Sequence, residues 1–442
     1  MAQTTRARAE AARQAARRLM ATTDAERQAA LEAVAKALEA GAARIREANE
    51  ADLAAAREDG LAKPLLDRLK LDDAKLATAI DGVRQVAALP DPVGRTLRST
   101  VLDDGLHLYQ VTCPLGVVAC IFESRPDVVI QISALALRSG NAVLLKGGSE
   151  AAHTNACLAS LITSSLAGDD SAVPPEAVGL LESRDEVQEL LAMDDLVDLI
   201  VPRGSNELVR AIQQGTSIPV MGHADGVCHL YIDAAADERK AKAIVVDAKT
   251  DYPAACNAVE AVLVHADRPD LLQAVAKALE EAGVAVRGPP DVQAMAPGIE
   301  PLAEADVGRE YNAMTVNLHL VASLEEAVAF AAQHGSGHTD GIVTEDPDAA
   351  RRFAAMVDSA GVYVNASTRF ADGYRYGLGA EVGISTGRLH ARGPVGLDGL
   401  VSHKWMLVGE GEAPHLAATY HDRAFKHEAS NKAWADQMER WA

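Results

Sequence analysis

Over residues 1–90 the apolar positions recur at helical spacing. Thr23 and Glu26 stand three apart, the spacing of a capping box, and Leu31, Val34, Leu38 and Ile45 then trace one buried face. Gly60 ends that stretch, Leu76, Ile80 and Val83 open a second amphipathic face, and the Pro-Asp-Pro run at 90–92 stops it. In TLRSTVLDDGLHLYQVT (96–112) β-branched runs flank Asp104-Gly105, a dipeptide suited to the positive φ of a tight turn, and a hairpin is predicted.

Beyond it, short apolar runs alternate with helical segments. GVVACIF (116–122), AVLLK (142–146), VDLIV (197–201), VCHLYID (227–233), VEAVLVH (259–265), TVNLHLV (315–321) and GVYVN (361–365) have the length of buried strands. PDVVIQISALALRSG (126–140) reads as a helix, with proline at its start and glycine at its end. Strands separated by helices predict an α/β protein with largely parallel sheets. Residues 411–442, polar with scattered aromatics, fit none of these patterns.

A chain of 442 residues exceeds one ordinary core, so two or three domains are expected. The net charge of −21 repels a phosphate backbone and excludes nucleic acid as partner, yet a local arginine cluster can still hold a small anion. The five cysteines form no CxxC pair and no disulfide framework, which fits a reducing cytoplasm. The basic N-terminus lacks the apolar core of a signal peptide, and Glu10 with the unbroken run into the next helix favours ordinary structure over a transit peptide. No run approaches the roughly 18 apolar residues of a membrane helix. A soluble protein with a small-molecule substrate and no membrane partner is expected.

No G-x-G-x-x-G follows an expected strand. Instead Lys146 ends a strand and is followed by Gly147-Gly148-Ser149 and a helix, a turn that admits either a phosphate or simply close packing. Cys120 and Cys228 lie in apolar strand runs, Cys157 in a helix, and Cys113 before Pro114 near a strand start. Cys256, in AKTDYPAACNAVEAVLVH, falls in an irregular stretch before a strand, a setting open to a structural or a nucleophilic thiol. ESRPD (123–127), PRGSN (202–206) and STRFADG (367–373) carry arginines that are either solvated or bind anions. Histidines 223, 229, 338, 390 and 403 lack the spacing of a zinc site; they are taken as structural or surface residues, and no metal is expected.

Together, FESRPDVVIQISALALRSGNAVLLKGGSEA (122–151), VPRGSNELVRAI (201–212), VMGHADGVCHLYID (220–233), AKTDYPAACNAVEAVLVH (248–265), HGSGHTDGIVTED (334–346) and the long segment 357–400 are similar to the γ-glutamyl phosphate reductase family of the aldehyde dehydrogenase superfamily. The resemblance runs nearly end to end. It implies an aldehyde dehydrogenase-like α/β fold: a cofactor domain at 1–95 and 113–229, a catalytic domain at 230–390, oligomerisation strands at 96–112 and 398–410, and a tail at 411–442. The strand LVSHKWMLV (400–408) would pair with the 96–112 tongue in a homo-oligomer, dimer or tetramer.

The resemblance also implies roles. Cys256 matches the nucleophile, with Ser124 and Asn257 beside the reaction; Ser124 or Arg125 falls where hydrolytic relatives carry an oxyanion-binding asparagine. Lys146 matches the lysine that reaches the adenosine ribose and its phosphate, joined by Gly148, Ser149, Gly204 and Ser205, and Glu310 matches the acid that holds the nicotinamide ribose. Arg125, Arg203 and Arg369 are the candidates for substrate carboxylate and phosphate. The activity implied is NADPH-dependent reduction of γ-glutamyl phosphate to glutamate 5-semialdehyde through a cysteine thioester, feeding proline synthesis, with NADP as cofactor. The rivals are another acylating dehydrogenase, such as a coenzyme A-dependent one, and a silent binding subunit.

Overall fold

The computed structural model describes residues 4–168, 171–410 and 425–441, so residues 411–424 and 442 of the tail expected at 411–442 lie outside the described residues. The N-terminal helices Thr5–Leu19, Asp24–Ala40, Ala42–Glu58 and Asp73–Ala88 follow the apolar spacing, and the Thr23–Glu26 capping box is formed. Leu31, Val34, Leu38 and Ile45 are fully buried against a four-stranded parallel sheet ordered Val178–Leu181, Ala142–Lys146, Val117–Phe122, Leu199–Arg203. From Val117–Phe122 the chain first winds to one side and then crosses to Leu199–Arg203 on the other. That reversal opens a crevice at the carboxyl ends of those two strands. The second of them begins two residues later than the periodicity predicts and so includes Pro202, which a sheet edge tolerates because no ladder hydrogen bond is lost.

A second sheet has seven parallel strands, ordered Glu300–Pro301, Ala285–Gly288, Thr315–Val321, Val259–His265, Cys228–Ile232, Thr339–Val343, Gly361–Val364. Leu230, Val262, Val264, Leu271 and Leu318 form its core, separate from that of the first sheet. The chain then returns: Val382, Val395, Leu397 and Leu400 pack into the first core. Val178–Leu181, Ala285–Gly288 and Thr339–Val343 were not singled out as strands, because four or five residues carry too little period to read.

Thr96–Asp103 and Leu106–Pro114 form the predicted hairpin, with Gly105 at φ 68° in its turn. Val401–Gly409 pairs antiparallel with Leu106–Pro114, from Val401 opposite Pro114 to Gly409 opposite Leu106. Glu428–Ala429 adds to the other edge, and Trp434 packs edge-on to Tyr109 at 5.7 Å, so the end of the chain folds back on the tongue. Among the described residues no helix is long and apolar enough to cross a membrane.

Candidate active site

In a parallel sheet, the residues that precede neighbouring strands line one edge. Gly226 precedes Cys228–Ile232, Cys256 precedes Val259–His265, and His338 precedes Thr339–Val343, and these are three adjacent strands. The register leaves no room for a side chain at Gly226, where a Cβ would stand 2.3 Å from the Cys256 carbonyl oxygen and 2.5 Å from its Cβ. The central Cys228 thiol is buried, donates to the Cys256 carbonyl at 3.4 Å, and is pushed well above the ordinary thiol range by burial. It is an inert packing group.

Cys256 itself is partly exposed on the loop between Glu238–Thr250 and Val259–His265. Arg369 braces that loop: Nε donates to the Asp251 carbonyl at 2.8 Å, and Nη1 donates to Asn257 Oδ1. Asn257 Nδ2 donates to the Ala371 carbonyl at 2.8 Å. Asn257 and Arg369, expected beside the reaction and on the substrate, thus spend these contacts fixing the cysteine loop. Arg375 adds an ion pair to Asp251 at 2.8 Å and lowers its carboxylate pKa.

The crevice of the first sheet faces this edge across a cleft of about 1000 Å³ lined by residues of both units. Ser124 enters it at φ 46°, a left-handed value uncommon outside glycine. Tyr252 at 82° and Asn312 at 54° line the same cleft, so three of the five such residues among those described gather here. Strain of this kind collects at functional sites. The Ser124 amide and hydroxyl donate to Glu150 Oε1 at 2.6 and 2.8 Å, and the Ser205 amide donates to Glu123 Oε2 at 2.7 Å. Both donor sets therefore already hold a carboxylate, which shows that they bind anions.

Charge in the cleft is uneven. Arg203 Nη1 donates to the Glu381 carbonyl at 3.1 Å, and burial raises the Glu381 carboxyl pKa against the pull of Arg203. Arg125 is half-buried, and its guanidinium makes no hydrogen bond or ion pair among the described residues. Burial and the nearby Arg203 both lower its pKa. A half-buried cation without a partner lacks the pairing that normally offsets its desolvation, and the cleft is where that pairing would come from.

The expected cofactor residues divide into two places. Gly204, Ser205 and Glu310 line the cleft; Glu310 accepts from Asn206 Nδ2 at 3.0 Å, and Ser205 caps the helix Asn206–Gly215. Lys146, Gly148 and Ser149 lie off it, at the end of Ala142–Lys146. Lys146 is buried, donates to the Gly147 carbonyl, makes no ion pair among the described residues, and has its pKa lowered by burial. Gly147 also has the packing role that its sequence left open, since a Cβ would stand 2.1 Å from Asn155 Nδ2.

His223 and His338, taken above as structural or surface residues, are instead brought to Cys256: one donor atom from each of the three residues lies within 4.8 Å of the others. No linear spacing could reveal this, because the three come from separate loops. Arg68, Glu123 and Glu381 also line the cleft without having been singled out. At Gly222 a Cβ would meet only Pro202, at 3.5 Å, so packing does not forbid a side chain.

Residues 1–307 match the aldehyde dehydrogenase family. The chain is 53% identical to γ-glutamyl phosphate reductase 1 of Synechocystis over 94% of its own length and 96% of that protein's. It is 50% identical to the γ-glutamyl phosphate reductase of Acetivibrio thermocellus, over 95% and 97%. The crystal structure of γ-glutamyl phosphate reductase from Thermotoga maritima superposes with a TM-score of 0.90 at 36% identity, covering 93% of this chain and all of that one. The chain belongs to the γ-glutamyl phosphate reductases of the aldehyde dehydrogenase family.

Proposed function

We propose that this enzyme reduces γ-glutamyl phosphate to glutamate 5-semialdehyde with release of phosphate, through a thioester on Cys256, in the synthesis of proline. The observation that carries it is Arg125, an unpaired half-buried guanidinium in the same cleft as a loop cysteine. The Cys256 thiolate attacks the acyl carbon, and phosphate departs as a stable anion with Arg125 and Arg203 as its partners. The Ser124 amide and hydroxyl, released from Glu150, and the Cys256 amide are the donors available to the oxyanion. A bound nicotinamide cofactor supplies the hydride that reduces the thioester. Glu310 and the Lys146 turn would hold its two riboses. Collapse of the tetrahedral product then frees the aldehyde and regenerates the thiol. An assay run in reverse, with glutamate 5-semialdehyde, phosphate and NADP, tests the assignment directly; absence of phosphate-dependent NADPH formation would overturn it.

Arg125→Met is expected to lower kcat/KM for the phosphorylated substrate by at least about thirtyfold, because losing one partner of a buried charge pair costs roughly 2–5 kcal/mol. An unchanged kcat/KM would remove Arg125 from substrate binding.

NADPH is the expected cofactor. Ser149 stands three residues after Lys146, where a carboxylate would repel a 2′-phosphate, and Lys146 is there to pair with that phosphate. The expected preference in kcat/KM is about tenfold or more, equivalent to roughly 1.4 kcal/mol. Equal values for NADH would refute this assignment.

The proposed assembly is a homo-oligomer in the cytoplasm, built through the tongue. Val401–Gly409 is an edge strand with Trp405 and Leu407 exposed, a surface that another chain usually covers.

A further inference from the structure

We propose that Cys256, His223 and His338 together form a three-ligand site for a zinc-class divalent cation, whose occupancy reversibly switches off the thiol. The candidate donor atoms lie within 4.8 Å of one another. Tetrahedral zinc, with bonds of about 2.0–2.3 Å, separates its ligand atoms by roughly 3.4–3.7 Å, so closing around the ion requires a shift of about 1 Å.

The hydrogen bonds of the two imidazoles identify which nitrogens are free. His223 Nδ1 lies 2.7 Å from the Ile384 carbonyl, which can only accept, so Nδ1 carries the proton and Nε2 presents its lone pair. His338 Nδ1 lies 2.9 Å from Thr339 Oγ1 and 3.5 Å from Cys228 Sγ. His338 Nε2 has no hydrogen-bond partner, although the residue is completely buried. A buried polar atom without a partner is uncommon and calls for a ligand. In both rings, then, Nδ1 is held by a neighbouring oxygen while Nε2 makes no hydrogen bond among the described residues, the arrangement of imidazoles that ligate metals. The rings stand edge to face, with centroids 4.8 Å apart.

One thiolate and two imidazoles select zinc or a similar borderline-soft ion over magnesium or calcium, which prefer oxygen. The cleft offers the fourth position to water or to a substrate oxygen. Binding exchanges the Cys256 thiol proton for the metal: one S–H bond breaks, one metal–sulfur bond forms, and the proton goes to solvent. With its lone pair committed, the sulfur cannot attack an acyl carbon.

Cobalt titration of the purified, metal-free full chain tests the site without measuring turnover. The expected result is a one-to-one complex with a thiolate-to-cobalt absorption band, bleached by zinc and absent in Cys256→Ala. His223→Ala and His338→Gln should each weaken cobalt binding by at least about tenfold, with circular dichroism reporting whether each variant is folded. His223 is only partly buried, so its variant keeps the test open if His338→Gln does not fold. No thiolate band in the parent chain, or full affinity in folded His223→Ala, would overturn the proposal. So would a histidine variant that loses turnover when the parent binds no cobalt, since the histidines would then belong to proton transfer. Failure of the metal site leaves phosphate-dependent turnover untouched, so this proposal and the assignment above stand or fall separately.

Discussion

Cys256→Ala is expected to lower turnover by about ten-thousandfold or more, the scale seen when a covalent nucleophile is removed. The fold should persist, because Cys256 is partly exposed and its loop is held by Arg369, Asn257 and Asp251 rather than by the thiol. Cofactor binding should persist as well, since Lys146 and Glu310 lie on other segments. Steady-state kinetics alongside circular dichroism and fluorescence titration with NADPH measure all three. A variant within tenfold of the parent would transfer the covalent role to another group. The other four cysteines offer poor alternatives. Burial raises the pKa of Cys113, Cys120, Cys157 and Cys228, which disfavours the thiolate in each.

Oxidation of glutamate 5-semialdehyde should stall after a single turnover when phosphate and arsenate are both absent. Removing the acceptor is expected to lower the steady rate by at least about a hundredfold, the usual contribution of a positioned general base. By the resemblance to the aldehyde dehydrogenase superfamily the base of the hydrolytic enzymes falls at Gly222, and the space around Gly222 would accept a side chain. A base at that point would lose the activated acyl group to water, so a glycine there fits the phosphorylating reading proposed above. Asp225 is no substitute, since Asn206 donates to it at 2.8 Å and Arg210 pairs with it. His223 is the remaining neighbour. Following NADPH formation with and without acceptor decides the matter: sustained turnover without one would assign His223 or another group as base and refute the phosphorylating reading.

Much of this was legible in the linear chain because local forces set it. The Thr23–Glu26 cap, the turn at Asp104-Gly105 and the strands Ala142–Lys146, Val259–His265 and Thr315–Val321 each follow from propensity and period within a few residues. The distinction between Cys256 on a loop and Cys228 in a strand was likewise local.

Partnership is different, because it depends on which strands lie side by side. Three basic turns looked alike in sequence, yet Arg369 braces the cysteine loop and Arg203 donates to the Glu381 carbonyl, while Arg125 alone of the three makes no hydrogen bond or ion pair among the described residues. Asn257, expected beside the reaction, lines the cleft and also braces the cysteine loop, a contact no local pattern could reveal. His338 looked like filler until the parallel register set Thr339–Val343 beside Cys228–Ile232 and brought that imidazole to the edge where Cys256 stands. By itself the sequence determined most of the elements, the family and the loop setting of Cys256, all of which are written in neighbouring residues. The tertiary structure alone decided which charges are paired and which rings meet the sulfur, because hydrogen bonds and ion pairs act through space over a few ångströms, across any distance along the chain.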